Sequence, residues 1–268
     1  MKTRLKVGAL LCAIAMGLSL TSCTKASAAE LFDQANQKSQ ESFDTHGIDM
    51  TMNMDMKVSL SGQEQNVKMN MDLKASGGEE KNKLSGVMKM ELLGQSVDTL
   101  MYADGTNLYM TAAGVTQKQA LTSENTQQLD QYSNMMGKMK LGDIKPKVQK
   151  VEKKDGKQTL TIELGGNQLT DSMKELMNQM TEGLGTSDVN YKFDTMNITA
   201  ELDQKGNLLS ETVEVKAAVS AQEQTMEMEM KIDLILHSIG KDIQVEVPEG
   251  MDIENAIDAT GGSSVTQN

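Results

Sequence analysis

The sequence predicts an α+β fold: one long, curved antiparallel sheet, a half-barrel, with helices covering its concave face. Three observations predict it. Long stretches alternate apolar and polar residues with the period of a strand. Two stretches in the middle of the chain space their apolar residues by three and four, as a helix does. Gly-containing turns at hairpin spacing separate the strands, so consecutive strands pair antiparallel.

The chain opens on an export segment. Lys2, Arg4 and Lys6 precede an uncharged apolar run from Val7 to Leu20. That run is shorter than the ~20 residues of a membrane span and fits a signal-peptide core. It ends in Leu20-Thr21-Ser22-Cys23, which resembles the bacterial lipobox. The resemblance implies cleavage after Ser22 and transfer of diacylglycerol, with acyl chains such as palmitate, to Cys23. The membrane is then a partner through lipidated Cys23, on the extracytoplasmic face of the cell. Cys12 lies in the discarded segment, so the mature chain offers no disulfide and no thiol chemistry.

Ser27-Ala28-Ala29-Glu30 reads as a capping box that starts a helix with Leu31, Phe32 and Ala35 on its apolar side. From Gly47 the period becomes two. Ile48, Met50, Met52, Met54, Met56, Val58 and Leu60 alternate with polar residues. A turn over Ser61 to Glu64 leads to Val67, Met69, Met71 and Leu73. Ser76-Gly77-Gly78 turns again toward Met88, Met90 and Leu92. A strand near Ser96 to Ala103 and another at Leu108 to Thr111 meet at Asp104-Gly105, a two-residue hairpin signal.

The middle turns helical at Leu129, Tyr132, Met136 and Met139, and again from Leu169 to Met180. A hairpin between them spans Lys147–Glu152 and Gln158–Leu164 around Asp155-Gly156. Strands resume with Tyr191 and Phe193, then Met196, Ile198, Ala200 and Leu202. A turn at Lys205 to Asn207 precedes Val213, Val215 and Ala217. Met226, Met228, Met230, Ile232 and Leu234 alternate with charged residues, and Ile243, Val245 and Val247 read as a last edge strand before Pro248. The segment Ser61 to Gln65 is echoed by Ser220 to Gln224, each a turn before an alternating methionine strand.

The composition narrows the function. Lys+Arg of 26 against Asp+Glu of 38 gives −12, and loss of the export segment removes only cations. Nucleic acid as partner is excluded, since phosphate binding needs a basic face. The chain has no Trp and only 3 Phe and 4 Tyr, so stacking platforms for sugars or bases are scarce. Methionine, by contrast, occurs 23 times.

This order of elements resembles the LolA-like class of lipoproteins and lipoprotein carriers, a half-barrel closed by helices. It is similar, more closely, to an uncharacterised group of lipoproteins of Gram-positive bacteria with Met-rich strands. The resemblance implies a cavity for lipid or acyl chains between helices and sheet. The chain then divides into a lipoprotein signal peptide over 1–22, a lipidated tether over 23–27, one LolA-like half-barrel domain over 28–250 and a polar, flexible tail over 251–268.

No enzyme emerges. His46 and His237 have no metal or triad spacing around them, and Gly165-Gly166 lacks the Lys of a phosphate loop. The acidic residues of the strands read as a solvated face. No cofactor is expected. The methionines carry the functional expectation. Met50, Met52, Met54, Met69, Met71, Met88, Met90, Met226, Met228 and Met230 are the candidates to line a cavity for a lipid or other apolar ligand. Methionine is flexible and polarizable and adapts to varied apolar shapes. Two alternatives stand beside this binding protein. One is a surface lipoprotein with a solid core that meets an unknown protein partner. The other is a Cu(I) protein, since Met-x-Met repeats offer soft thioether ligands.

Overall fold

The protein, seen in a computed structural model, is described over residues 26–60, 63–78, 83–92, 94–122, 141, 144–166, 169, 190–221, 224–238 and 241–259. The export segment, Cys23, the helical stretches over Leu129 to Met139 and beyond Leu169, and the tail from Thr260 lie outside the described residues.

Helix α1 spans Ala28–His46. Its start is the capping box read from the sequence: Glu30 N–H donates to Ser27 Oγ at 3.2 Å, and Ser27 N–H donates to Glu30 Oε2 at 2.7 Å. These bonds hold the Glu30 carboxyl below its ordinary value, as expected of an acid at a helix N-terminus. The helix passes into the first strand with no loop between them. Gly47 makes this possible. Its φ of +97° suits glycine, and a Cβ there would drive into Ala75 O. Gly77 meets the same crossing from the other chain segment, against Phe43 O and Gly47 N.

Twelve strands follow: β1 (Gly47–Leu60), β2 (Gln63–Ser76), β3 (Lys83–Leu92), β4 (Gln95–Asp104), β5 (Asn107–Ala112), β6 (Val115–Ala120), β7 (Val148–Lys154), β8 (Lys157–Gly165), β9 (Asn190–Leu202), β10 (Leu208–Ala221), β11 (Gln224–Ser238) and β12 (Ile257–Asp258). They form one open sheet in the order β12-β6-β5-β4-β3-β2-β1-β11-β10-β9-β8-β7. Two antiparallel meanders, β1–β6 and β7–β11, are therefore joined edge to edge where β1 pairs with β11. The fold is α+β, with a long antiparallel sheet that does not close into a barrel. Of the helices expected on one face, the described residues include α1.

The long strands begin and end close to where the period-two pattern places them. Two hairpins of the echoed segments, Leu60 opposite Gln63 and Ala221 opposite Gln224, close at the same end of the sheet on either side of the β1–β11 pair. Gln63 and Glu64, expected within a turn, instead belong to β2. Strand β6 carries almost no apolar alternation and was not foreseen. Its signal is the tight turn at Ala113-Gly114, both with positive φ.

Three expectations are corrected. Ile243 to Val247 is not a strand. Alternation marks one apolar side, but a strand also needs a free backbone edge. Here the sheet's edges lie elsewhere, and Ile243 N–H bonds only to His46 O at the end of α1. The chain beyond residue 250 also stays with the sheet, since Ile257 and Asp258 pair in parallel with Gln117 and Lys118 of β6. Finally, the fully buried core does not sit under the methionine strands. It gathers Ala28, Ala29, Phe32 and Ala35 of α1 with Leu160, Ile162, Leu164, Ile198, Ala200 and Leu202 of β8 and β9.

A parity change in β9 has a clear cause. Phe193 pairs with Ala217 and Thr195 with Lys216, so Asp194 is an extra residue on the bulged strand. The bulge lets Phe193 and the later even-numbered Met196, Ile198, Ala200 and Leu202 all enter the core.

Candidate functional site: a methionine face with one carboxylate

The register assembles the ten candidate methionines on one face. Residues directly opposite in an antiparallel pair project from the same side of the sheet. Met52 stands opposite Met71 and Met71 opposite Met88; Met54, Met69 and Met90 form the next row. On the other flank of β1, Leu60, Val58 and Met56 face Met226, Met228 and Met230, while Met50 faces Leu236 and Leu73. All ten methionines are half-buried, neither sealed in the core nor free in solvent. Met228 and Met230 touch the buried core from its border.

The same face continues to β3, β4, β5 and β6, where Leu92, Val97, Met110 and Val115 are 40% to 49% exposed. The apolar face is sealed under α1 and half-buried at the methionines, and on the far strands these exposed side chains stand beside buried Thr99 and Ala103.

The opposite face of β1, β2, β10 and β11 is a lattice of polar pairs. Lys216 donates to Glu229 at 2.7 Å, with Lys57 on the other side of Glu229, and Lys231 pairs with Asp233 at 3.0 Å. Its hydrogen bond to Lys216 and that cation's charge hold the Glu229 carboxyl below its ordinary value. Asn70 donates to Asn53, and Thr51 bonds both Asp72 and His237. His237 follows apolar-face Leu236 and so lies on this polar side, and the register shift between β1 and β11 brings Ser238 opposite Asp49 there as well. His46 bonds Asp242 at the foot of α1. Both histidines therefore have structural partners. Among the described residues no group of three His, Cys, Asp or Glu could hold a metal ion, and no helix is long and apolar enough to cross a membrane.

One residue breaks the apolar face, and the sequence reading passed over it. Glu211 of β10 stands opposite Leu234 of β11 and Ala200 of β9. It is in phase with Val213, Val215 and Ala217, which was the signal available for it. One register row runs Val151, Leu160, Ala200, Glu211, Leu234, Met52, Met71, Met88, Thr99, Ala112 and Val115 across eleven strands. Among the register-paired residues of this face, Glu211 and Lys153 are the acidic and basic ones, and Lys153 is exposed near the end of edge strand β7. Burial pushes the Glu211 carboxyl up to about 7. No hydrogen bond or ion pair stabilises its charge among the described residues.

The profile of a family described as "Family of unknown function (DUF6612)" matches residues 27–255. None of the curated proteins matches the chain. Among the solved structures that resemble it are the following three. A DUF1329 family protein from Desulfovibrio piger is 9% identical, with 79% of this chain and 94% of that one covered at a TM-score of 0.28. A LolA superfamily protein from Nitrosomonas europaea is 13% identical, with 80% and 95% covered at 0.25. A domain from Vibrio parahaemolyticus, named for outer membrane lipoprotein sorting, is 13% identical, with 77% and 93% covered at 0.24. The strand register itself defines the architecture.

Proposed function

The chain belongs to the DUF6612 family of unknown function, and from its own geometry we propose that it is a non-catalytic binding protein of the cell envelope, anchored through lipidated Cys23, that holds a lipid or other apolar molecule against its methionine face. The observation that carries this is the contiguous block of ten half-buried methionines on β1, β2, β3 and β11. A sheet face built only to close a core gains most from branched side chains that pack in one way. A face of unbranched thioethers keeps rotamer freedom and accommodates variable apolar shapes.

Native mass spectrometry with lipid extraction, on the protein purified from its own envelope, tests the reading. An apolar adduct lost when Met69 is replaced by Trp supports it. A ligand-free wild type that also takes up no added fatty acid, alcohol or phospholipid overturns it.

The two cross-strand rows of three methionines, Met52-Met71-Met88 and Met54-Met69-Met90, keep one second reading open, a thioether Cu(I) site. Titration with Cu(I) under reducing conditions, before and after changing Met54, Met69 and Met90 to Leu, decides between them. Leucine keeps the apolar wall and removes every thioether of that row.

A further inference from the structure

Resting on the methionine-face reading, we infer that Glu211 is the polar contact of that site and that its ligand is an amphiphile with a cationic head group, of the long-chain amine class. The register places Glu211 at a boundary. On one side stand Ala200 and Leu160, both 0% exposed beneath α1. On the other side the row continues through Leu234 to half-buried Met52, Met71 and Met88. At about 4.8 Å per strand, the path from Glu211 to Thr99 is roughly 24 Å. An extended tail can therefore lie across the methionines with its head at the edge of the sealed core.

Charge selects the head. Glu211 is half-buried, its carboxylate has no described cation or donor beside it, and a charge held partly out of water without a partner is costly. A ligand ammonium supplies the missing partner, which burial has left the carboxyl without. A carboxylate or phosphate head would instead meet a like charge on a face with no arginine. The only arginine of the sequence is Arg4, in the export segment.

The test uses three fluorescent probes of equal chain length, a primary amine, an alcohol and a carboxylate, titrated into the full mature chain at pH 8. The amine is expected to bind about tenfold or more tighter than the alcohol, with the carboxylate weakest. Glu211→Gln should bring the amine affinity close to that of the alcohol, and an unchanged far-UV circular dichroism spectrum reports its intact fold. Glu214→Gln, which removes a charge from the polar face, should leave the amine preference in place. Equal binding of amine and alcohol by the wild type, a preference that survives Glu211→Gln, or an equal loss in Glu214→Gln overturns the proposal while alcohol binding upholds the apolar site. Binding by none of the probes overturns both.

Discussion

Glu211 on β10 stands opposite Leu234 on β11, a carboxyl in register with a leucine on the apolar side of the sheet. Every neighbouring row on that side of the pair is apolar: Val213 faces Ile232, Val215 faces Met230 and Ala217 faces Met228. The pairing puts a titratable group where burial opposes its charge.

The stability of the protein should therefore depend on pH through this residue. Burial raises the folded-state carboxyl from 4.5 to about 7, so between those values the folded chain holds a proton that the unfolded chain has released. The stabilisation is complete below about 4.5, falls as pH rises and is lost once pH passes about 7, a loss on the order of 3 kcal/mol. Denaturant unfolding across this range should show that slope in the wild type and a flatter one in Glu211→Gln. Parallel slopes would show that Glu211 is solvated.

The apolar face should respond to charge by position. Met228 packs against the buried core, whereas Met90 lies beside exposed Val97. Met228→Lys should cost about 3 kcal/mol or more, because its ammonium cannot reach water. Met90→Lys should cost about 1 kcal/mol, since its stem can lie along the sheet with the charge in solvent. Glu227→Lys, exposed on the polar face, should stay within about 0.5 kcal/mol. Equal unfolding midpoints for Met228→Lys and Glu227→Lys would mean that the strand register is wrong.

The junction of helix and sheet should be intolerant of any side chain. Gly47→Ala combines a φ of +97° with collision against Ala75 O, and should cost about 3 kcal/mol or more. Gly114→Ala, at φ +78° with open space around it, should cost only about 1 kcal/mol. Thermal melts of the two variants check the difference, and similar losses would place the strain in φ alone.

The anchor is tested in cells. Cys23→Ala should leave an uncleaved precursor or release the protein, because two acyl chains at about 0.8 kcal/mol per buried CH₂ are what hold it. Mass spectrometry of the wild type should find a diacylglycerol adduct on Cys23. An unmodified wild type in the medium would refute the anchor.

What could be read locally was readable in the sequence. The capping box at Ser27 and Glu30, the hairpins at Asp104-Gly105 and Asp155-Gly156, and the alternation of β1, β2 and β11 each depend on neighbours a few residues apart. Such features follow from backbone sterics and hydrogen bonds that any chain segment carries with it. Even the bulge at Asp194 left a trace, as the switch from odd Phe193 to even Met196. What the tertiary structure decided was which segments meet. Pairing of β1 with β11 joined the two meanders and set the methionine rows side by side. The seat of α1 beside β8, β7, β1 and β10 placed the core on one half and left the methionines half-covered. Glu211 already shared the apolar face with Val213 and Val215 by its phase within β10; the assembled sheet half-buried it there and left Ile243 to Val247 without a strand partner. The physical reason is that period and turn chemistry specify a strand and its two faces, whereas burial depends on which strands and helix arrive opposite each face, and those arrive from distant parts of the chain.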